Sequence, residues 1–298
     1  MFYLKIGLVL EGGGMRGLFT AGVLDYLSDI NAQPDYCIGV SAGACNGVSF
    51  VSGQRGRNKR INIEYAGDKR YVSMRNLFRQ KSMFGMDFIF NDIPDKLDPF
   101  DYEAFAASPI AFVTGVSDVE TGKPAYFSKE AIQHDSTVLR ASSSIPVFSP
   151  IVSFRGGKYL DGGTTDPIPV RKALADGCDR VIVILTRDRN YVKSPEKMRS
   201  IYRRMLKEYH NMIAALDHRH EVYNQTLSYL RELEQSQTAL IIAPAQEVTL
   251  GRFDNSREKL EELYEQGYQQ AKLHDKQLKN FLSREQSETF SVNRKEEG

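Results

Sequence analysis

Cysteine is scarce in this chain of 298 residues: there are three, Cys37, Cys45 and Cys178, far apart. They form no C-x-x-C pair and no even framework, which argues against a disulfide scaffold and against a zinc site. Reduced thiols fit a cytoplasmic protein. Long apolar runs are also missing. No stretch reaches the ~18 residues of a membrane span. The first ten residues, MFYLKIGLVL, end at Glu11 and lack the charged start, longer apolar run and cleavage site of a signal peptide. Net charge is only +1, so no global attraction to nucleic acid exists and any basic surface must be local. Repeats and low-complexity segments are absent. What remains is an ordinary globular composition, 41% hydrophobic and 26% charged, with length enough for a sizeable core.

The first fifty residues alternate in type. Ile6–Leu10 reads as a buried strand and 15–27 as a helix with Leu18, Ala21, Leu24 and Leu27 on one face. Tyr36–Val40 reads as a second strand, and 42–51 as a helix of small residues. That alternation predicts an α/β fold, a mostly parallel sheet flanked by helices in three layers. Further strands are expected at 110–115, 125–127, 151–154 and 158–160, and a helix at 170–176 stopped by Gly177. The segment 180–186, RVIVILT, has the continuous apolar character of a buried parallel strand. Beyond Arg187 the pattern turns helical. Ser194-Pro195-Glu196 has the chemistry of a helix start, and helices are expected over 195–216, 218–235 and 256–282. A lone strand at 238–243 is placed to return to the sheet. The polar tail 283–298 is expected to be disordered. Residues 1–187 therefore read as an α/β domain and 188–298 as a helix-rich C-terminal region.

Two glycine-rich turns carry the chemical signal. Gly39-Val40-Ser41-Ala42-Gly43 is a G-x-S-x-G sequence between a short strand and a small-residue helix, the setting a nucleophile elbow needs. The helix start behind Ser41 favours developing negative charge. Alone, the motif is equally compatible with an ordinary strand-to-helix turn. Gly12-Gly13-Gly14-Met15-Arg16-Gly17 follows the first strand. Consecutive glycines can aim several N–H groups at one point, as an oxyanion hole requires. The same residues match the dinucleotide fingerprint G-x-G-x-x-G. That fold needs an acid at the end of the second strand, but Asp35 precedes the strand, so nucleotide binding is disfavoured. Asp161-Gly162-Gly163 closes the strand at 158–160, and Ala141-Ser142-Ser143-Ser144-Ile145-Pro146 reads as a helix end.

Taken together and in this order, the four segments resemble the patatin-like phospholipase family: G-G-G-x-R-G at 12–17, G-x-S-x-G at 39–43, alanine-serine to proline at 141–146 and D-G-G at 161–163. The resemblance covers roughly residues 5–170. It implies a Ser-Asp dyad rather than a triad, with Ser41 as nucleophile and Asp161 as base. The amides of Gly13 and Gly14, with Gly12 beside them, would hold the oxyanion, and an acyl-enzyme would be hydrolysed by water. Arg16, Gly17, Gly39, Gly43, Gly162 and Gly163 would support the motifs. Arg16 has three candidate roles: steadying the loop, meeting a lipid phosphate, or a surface ion pair.

Several alternatives stay open. The same dyad serves a thioesterase or acyltransferase. A Ser-His-Asp triad could draw on His210, His218, His220 or His274, though all lie in expected helices with charged surroundings and read better as solvated. His134 precedes Asp161 and has the wrong order. Aspartate with an ordinary pKa of ~3.9 is also a weak base near neutrality, so the dyad needs a desolvated Asp161. No cofactor and no metal are required. The expected partner is a lipid or other acyl ester, with no nucleic acid. Nine basic residues (Arg55, Arg57, Lys59, Arg60, Lys69, Arg70, Arg75, Arg79, Lys81) crowd 54–81 against two acids (Glu64, Asp68). They form either a solvated loop or a face for anionic lipid at a membrane periphery. The apolar stretch 83–90 is core or an acyl-chain wall.

Overall fold

The computed structural model describes residues 4–132 and 136–283. The expected disorder of the tail and His134 therefore lie outside the described residues.

The sheet has eight strands: β1 (Ile6–Leu10), β2 (Tyr36–Val40), β3 (Ala111–Asp118), β4 (Pro124–Ser128), β5 (Val152–Phe154), β6 (Gly157–Asp161), β7 (Arg180–Ile184) and β8 (Ala239–Ile242). Their order is β5-β6-β3-β2-β1-β7-β8, with β4 paired to β3 off this path. The five strands from β3 to β8 are parallel; β4, β5 and β6 add antiparallel pairings. Helices cover both faces: α1 (Gly17–Asp29), α2 (Ala42–Val51), α3 (Arg57–Glu64), α4 (Met74–Gln80), α5 (Tyr102–Ala107), α6 (Thr137–Ser142), α7 (Val170–Ala175), α8 (Arg199–Met205), α9 (His210–Gln235), α10 (Arg257–Leu273) and α11 (Asp275–Leu282).

Side-chain alternation along the buried strands builds the three layers. Leu8, Leu10, Ile182 and Ile184 pack with α1, α2 and α10 on one face. Val9, Val181 and Val183 point the other way, onto α7 and onto Leu227 and Leu230 of α9. A strand buried on both sides must be apolar throughout, which is why β1 and β7 read as continuous apolar runs.

The C-terminal half departs from expectation. The helix expected over 195–216 is only α8, seven residues from Arg199. No break falls near 217: α9 runs unbroken for 26 residues, about 39 Å at the usual rise. Glu196 does not start a helix; it is held by Arg219 of α9 and by its neighbour Lys193. The helix expected over 256–282 is interrupted at His274. The basic stretch is not a loop. It contains α3 and α4, and Arg55, Arg57, Arg60 and Arg70 pair with Asp29, Asp98, Asp98 and Asp68.

One topological detail positions the site. β2 occupies one edge of β3 up to Val40↔Gly115, and β6 continues along that edge in the opposite direction, ending at Asp161↔Val116. β4 holds the other edge. The C-terminal ends of β2 and β6 therefore meet head-on, Ser41 against Asp161.

Candidate active site

Ser41 lies in the turn between β2 and α2 with φ 53° and ψ −127°, a conformation that costs a non-glycine residue about 1–3 kcal/mol. The buried hydroxyl of Ser142 holds it there, accepting from the Ser41 N–H at 2.8 Å and donating to the Gly115 carbonyl at 2.7 Å. Gly43 permits the turn to pack, since a Cβ there would sit 2.4 Å from the Leu10 carbonyl oxygen. A Cβ on Gly39, on the other flank, would lie 2.6 Å from the backbone of Gly43 and Ala44.

The Ser41 Oγ donates to Asp161 Oδ2 at 2.6 Å, and both residues are buried. The second carboxylate oxygen accepts the Gly163 N–H at 2.7 Å. Asp161 is further fixed by its own N–H on the Ser144 carbonyl, 2.8 Å, and by the Ser117 hydroxyl donating to its carbonyl, 2.8 Å. Burial pushes the Asp161 carboxyl above its ordinary pKa. The Ser41 hydrogen bond, the Arg219 charge, the Gly163 N–H and the Arg252 charge pull in the other direction.

The glycine loop of 12–17 follows β1 and faces this pair. The Gly12 N–H bonds the Pro167 carbonyl at 3.3 Å. Gly14 has φ +58°, and a Cβ there would lie 2.7 Å from the Arg252 carbonyl oxygen. That carbonyl also accepts the Met15 N–H at 3.1 Å. Gly17 opens α1, and its carbonyl accepts the Asn46 side chain of α2 at 2.8 Å. Gly162 and Gly163 form the turn after Asp161, where the Gly163 carbonyl accepts Arg219 Nε at 2.6 Å. Arg16 is buried, so a surface ion pair is excluded. Its Nε has no hydrogen-bond partner. Burial, then the charges of Arg187 and Arg252, hold its guanidinium down at about 10. Asp35 accepts the Ile6 N–H at the start of β1, the opposite end of the strand from the glycine loop.

Two cavities flank Ser41 and share Gly14, Ser41 and Ile145. One, about 130 Å³, is apolar and bordered by Phe84, Met86, Ile89 and Phe90 of the aromatic stretch. The other, about 110 Å³, contains Asp161 and is rich in cations. No described histidine borders either cavity or bonds Ser41 or Asp161. His218 is solvated beside Glu221, and the His274 ring bonds the Gln270 carbonyl. His220 departs from expectation: its Nδ1 is buried and unpartnered rather than solvated.

Sequence reasoning did not find Arg187, Arg219 or Arg252. Each is a single cation outside any local motif, brought to the cavity by tertiary structure alone. It also could not say which serine of Ser142–Ser144 mattered.

The fold and site define an α/β protein with a buried serine–aspartate pair at the C-terminal edge of its parallel strands. The chain belongs to the patatin-like phospholipase family, whose model matches residues 8–174. A second model, a domain of unknown function (DUF6363), matches residues 209–283. The uncharacterized protein YjjU of Escherichia coli (strain K12) is 34% identical over 187 residues, 61% of this chain and 52% of YjjU. Lysophospholipase NTE1 of Candida albicans is 27% identical over 190 residues, 60% of this chain and 13% of that protein. The chain thus spans about half of YjjU and a small part of NTE1. VipD from Legionella pneumophila covers 94% of this chain at 11% identity and a TM-score of 0.42.

Proposed function

We propose that this protein is a lipid acyl hydrolase working through a Ser41–Asp161 dyad. The observation that carries the proposal is the 2.6 Å bond between two buried groups, one on a strained turn. Asp161 takes the Ser41 proton as Oγ attacks the ester carbonyl. Negative charge grows on the carbonyl oxygen, facing the Gly13 and Gly14 amides; Gly12 contributes shape, its N–H being engaged by Pro167. The tetrahedral intermediate collapses, the leaving alcohol takes the proton from Asp161, and an acyl group remains on Ser41. Water then enters, gives a proton to Asp161 as its oxygen attacks the acyl carbonyl, and the second tetrahedral intermediate collapses with Ser41 Oγ leaving; Asp161 returns the proton to that Oγ and the acid is released. The raised pKa of Asp161 supports the role, because a base works best when its pKa approaches the working pH.

The apolar cavity would take the acyl chain, its phenylalanines excluding water from the bond under attack. Peripheral contact with a membrane belongs to the same proposal. On α4, Met74 and Phe78 share a face, 56% and 82% exposed, with Arg75 and Arg79 next to them.

A fluorophosphonate probe on wild type and Ser41→Ala tests the nucleophile. Labelling and hydrolysis of a p-nitrophenyl acyl ester should both vanish in the variant. A variant that still labels, or keeps a tenth of the turnover, would reject Ser41.

A further inference from the structure

An ester has two arms, acyl and alcohol, that diverge from the carbonyl under attack. Ser41 likewise has two cavities diverging from it. If the apolar one takes the acyl arm, the alcohol arm enters the other. Among the described residues five cations border that space: Arg16, Arg187, Lys193, Arg219 and Arg252. The described carboxylates there are three: Glu11, Asp161 and Glu196. Glu11 and Glu196 have closer partners of their own, and their charges reach Arg16 and Arg252 only at longer range. Glu11 is buried and bonded by Tyr223 and Thr186, and burial raises its pKa as it does that of Asp161. Glu196 is held by Arg219 and Lys193. Arg187 donates to the Val248 carbonyl and lies over the Tyr191 ring. Arg16 and Arg252 remain. Among the described residues neither guanidinium makes a hydrogen bond or ion pair, and Arg16 Nε is fully buried. Arg16 is buried and Arg252 partly so, and a desolvated cation without a close counter-charge is costly unless a ligand supplies one.

We propose that Arg252 reads a phosphate group on the alcohol arm of the substrate, with Arg16 opposite, so that phosphate-bearing lipids are preferred over neutral esters. A phosphate has more acceptor oxygens than one guanidinium fork can fill, and two unpaired forks border the same space. Arg252 and Arg219 lie within 209–283, so this segment of unknown function is assigned a role in substrate selection. The Arg252 backbone already touches the glycine loop at Gly14 and Met15, which couples head-group contact to the site of chemistry. The inference rests on the hydrolase chemistry proposed above.

The test has a binding arm and a turnover arm on the full chain. Calorimetry should show glycerol 3-phosphate binding to wild type, weakened about 10–100-fold in Arg252→Ala and partly restored in Arg252→Lys. The preference for a lysophospholipid over a p-nitrophenyl ester of equal acyl length, as a ratio of kcat/KM, should fall by the same factor. Arg252→Lys keeps the test decisive if the alanine variant does not fold. Equal loss on both esters would reduce Arg252 to a brace for the glycine loop and overturn the proposal. Inorganic phosphate binding as tightly as glycerol 3-phosphate would overturn the head-group role in favour of a free-phosphate site. Turnover without binding sinks the anion site alone; binding without any turnover sinks the hydrolase and the head-group role with it.

Discussion

Replacing Ser142 by alanine probes the strained turn without touching the reacting groups. The Ser142 hydroxyl bridges two backbones, Ser41 N–H at 2.8 Å and the Gly115 carbonyl at 2.7 Å, in a fully buried position. Alanine removes both bonds and adds no new contact. The Ser41 N–H is then buried and unpaired, which costs about 1–3 kcal/mol. The Gly115 carbonyl has a second lone pair and loses less. A total near 2–3 kcal/mol would lower the Tm by roughly 4–8 °C in a chain of this size. The turn itself stores about 1–3 kcal/mol in the Ser41 backbone, so an unanchored elbow relaxes. A shift approaching 1 Å in Oγ spoils the 2.6 Å bond to Asp161 and should lower kcat about 10–100-fold. Ser144→Ala is the control, since that hydroxyl bonds only the Arg140 carbonyl one turn back. The assay is ester turnover under saturating substrate beside a thermal melt. If Ser142→Ala melts lower but keeps kcat within twofold, the anchor does not maintain the catalytic geometry. If neither quantity moves, the bridge is energetically idle and the account of the elbow is wrong.

Asp161→Asn should lower turnover about 10²–10⁴-fold, the usual contribution of a general base. Because the folded carboxyl has a raised pKa, its contribution to stability falls as pH climbs from the ordinary aspartate value through the folded one. The asparagine variant should therefore melt no lower than wild type at neutral pH, and a large drop in Tm would contradict the desolvated base. Gly14→Ala should lower kcat about 10²–10³-fold, because φ +58° and the Arg252 carbonyl at 2.7 Å force the loop and its donors to move; near-normal turnover would remove the oxyanion assignment. Phe78→Ser should weaken binding to anionic vesicles in a flotation assay while leaving hydrolysis of a soluble ester unchanged, and equal vesicle binding would reject α4 as a membrane contact.

The parts legible in the sequence were those encoded locally. β1 and β2 show as apolar runs because both their faces are buried, and the elbow and glycine loop show because close backbone approach admits only glycine. The C-terminal half was misread where distant partners override local signals. Ser194-Pro195-Glu196 has the chemistry of a helix start, yet Glu196 is drawn to Arg219, 23 positions on. The basic stretch could not be interpreted locally because Asp29 and Asp98, which neutralise three of its arginines, lie 26 or more positions away. Arg252 had no signal at all. Its importance comes from its lack of a partner, and only a folded chain reveals that.

The weakness of aspartate as a base finds its answer in the balance around Asp161. Burial raises its pKa, and Arg219 and Arg252 lower it again. Of those two, Arg219 is already paired with Glu196, while Arg252 is unpaired. An anion seated against Arg252 would cancel part of the field that keeps the carboxylate weakly basic. Substrate binding would then strengthen the base at the moment it is needed, and a neutral ester would not. The pH profiles carry this signature. kcat/KM follows the free enzyme and kcat the complex, so the acid limb of kcat should sit at higher pH than that of kcat/KM with a phosphate-bearing ester. With a neutral ester of the same acyl length the two limbs should differ less. Arg252→Gln should shrink the separation, because the phosphate is no longer held beside the base. Limbs that coincide for both esters in wild type would show that the cationic cavity and the base do not communicate.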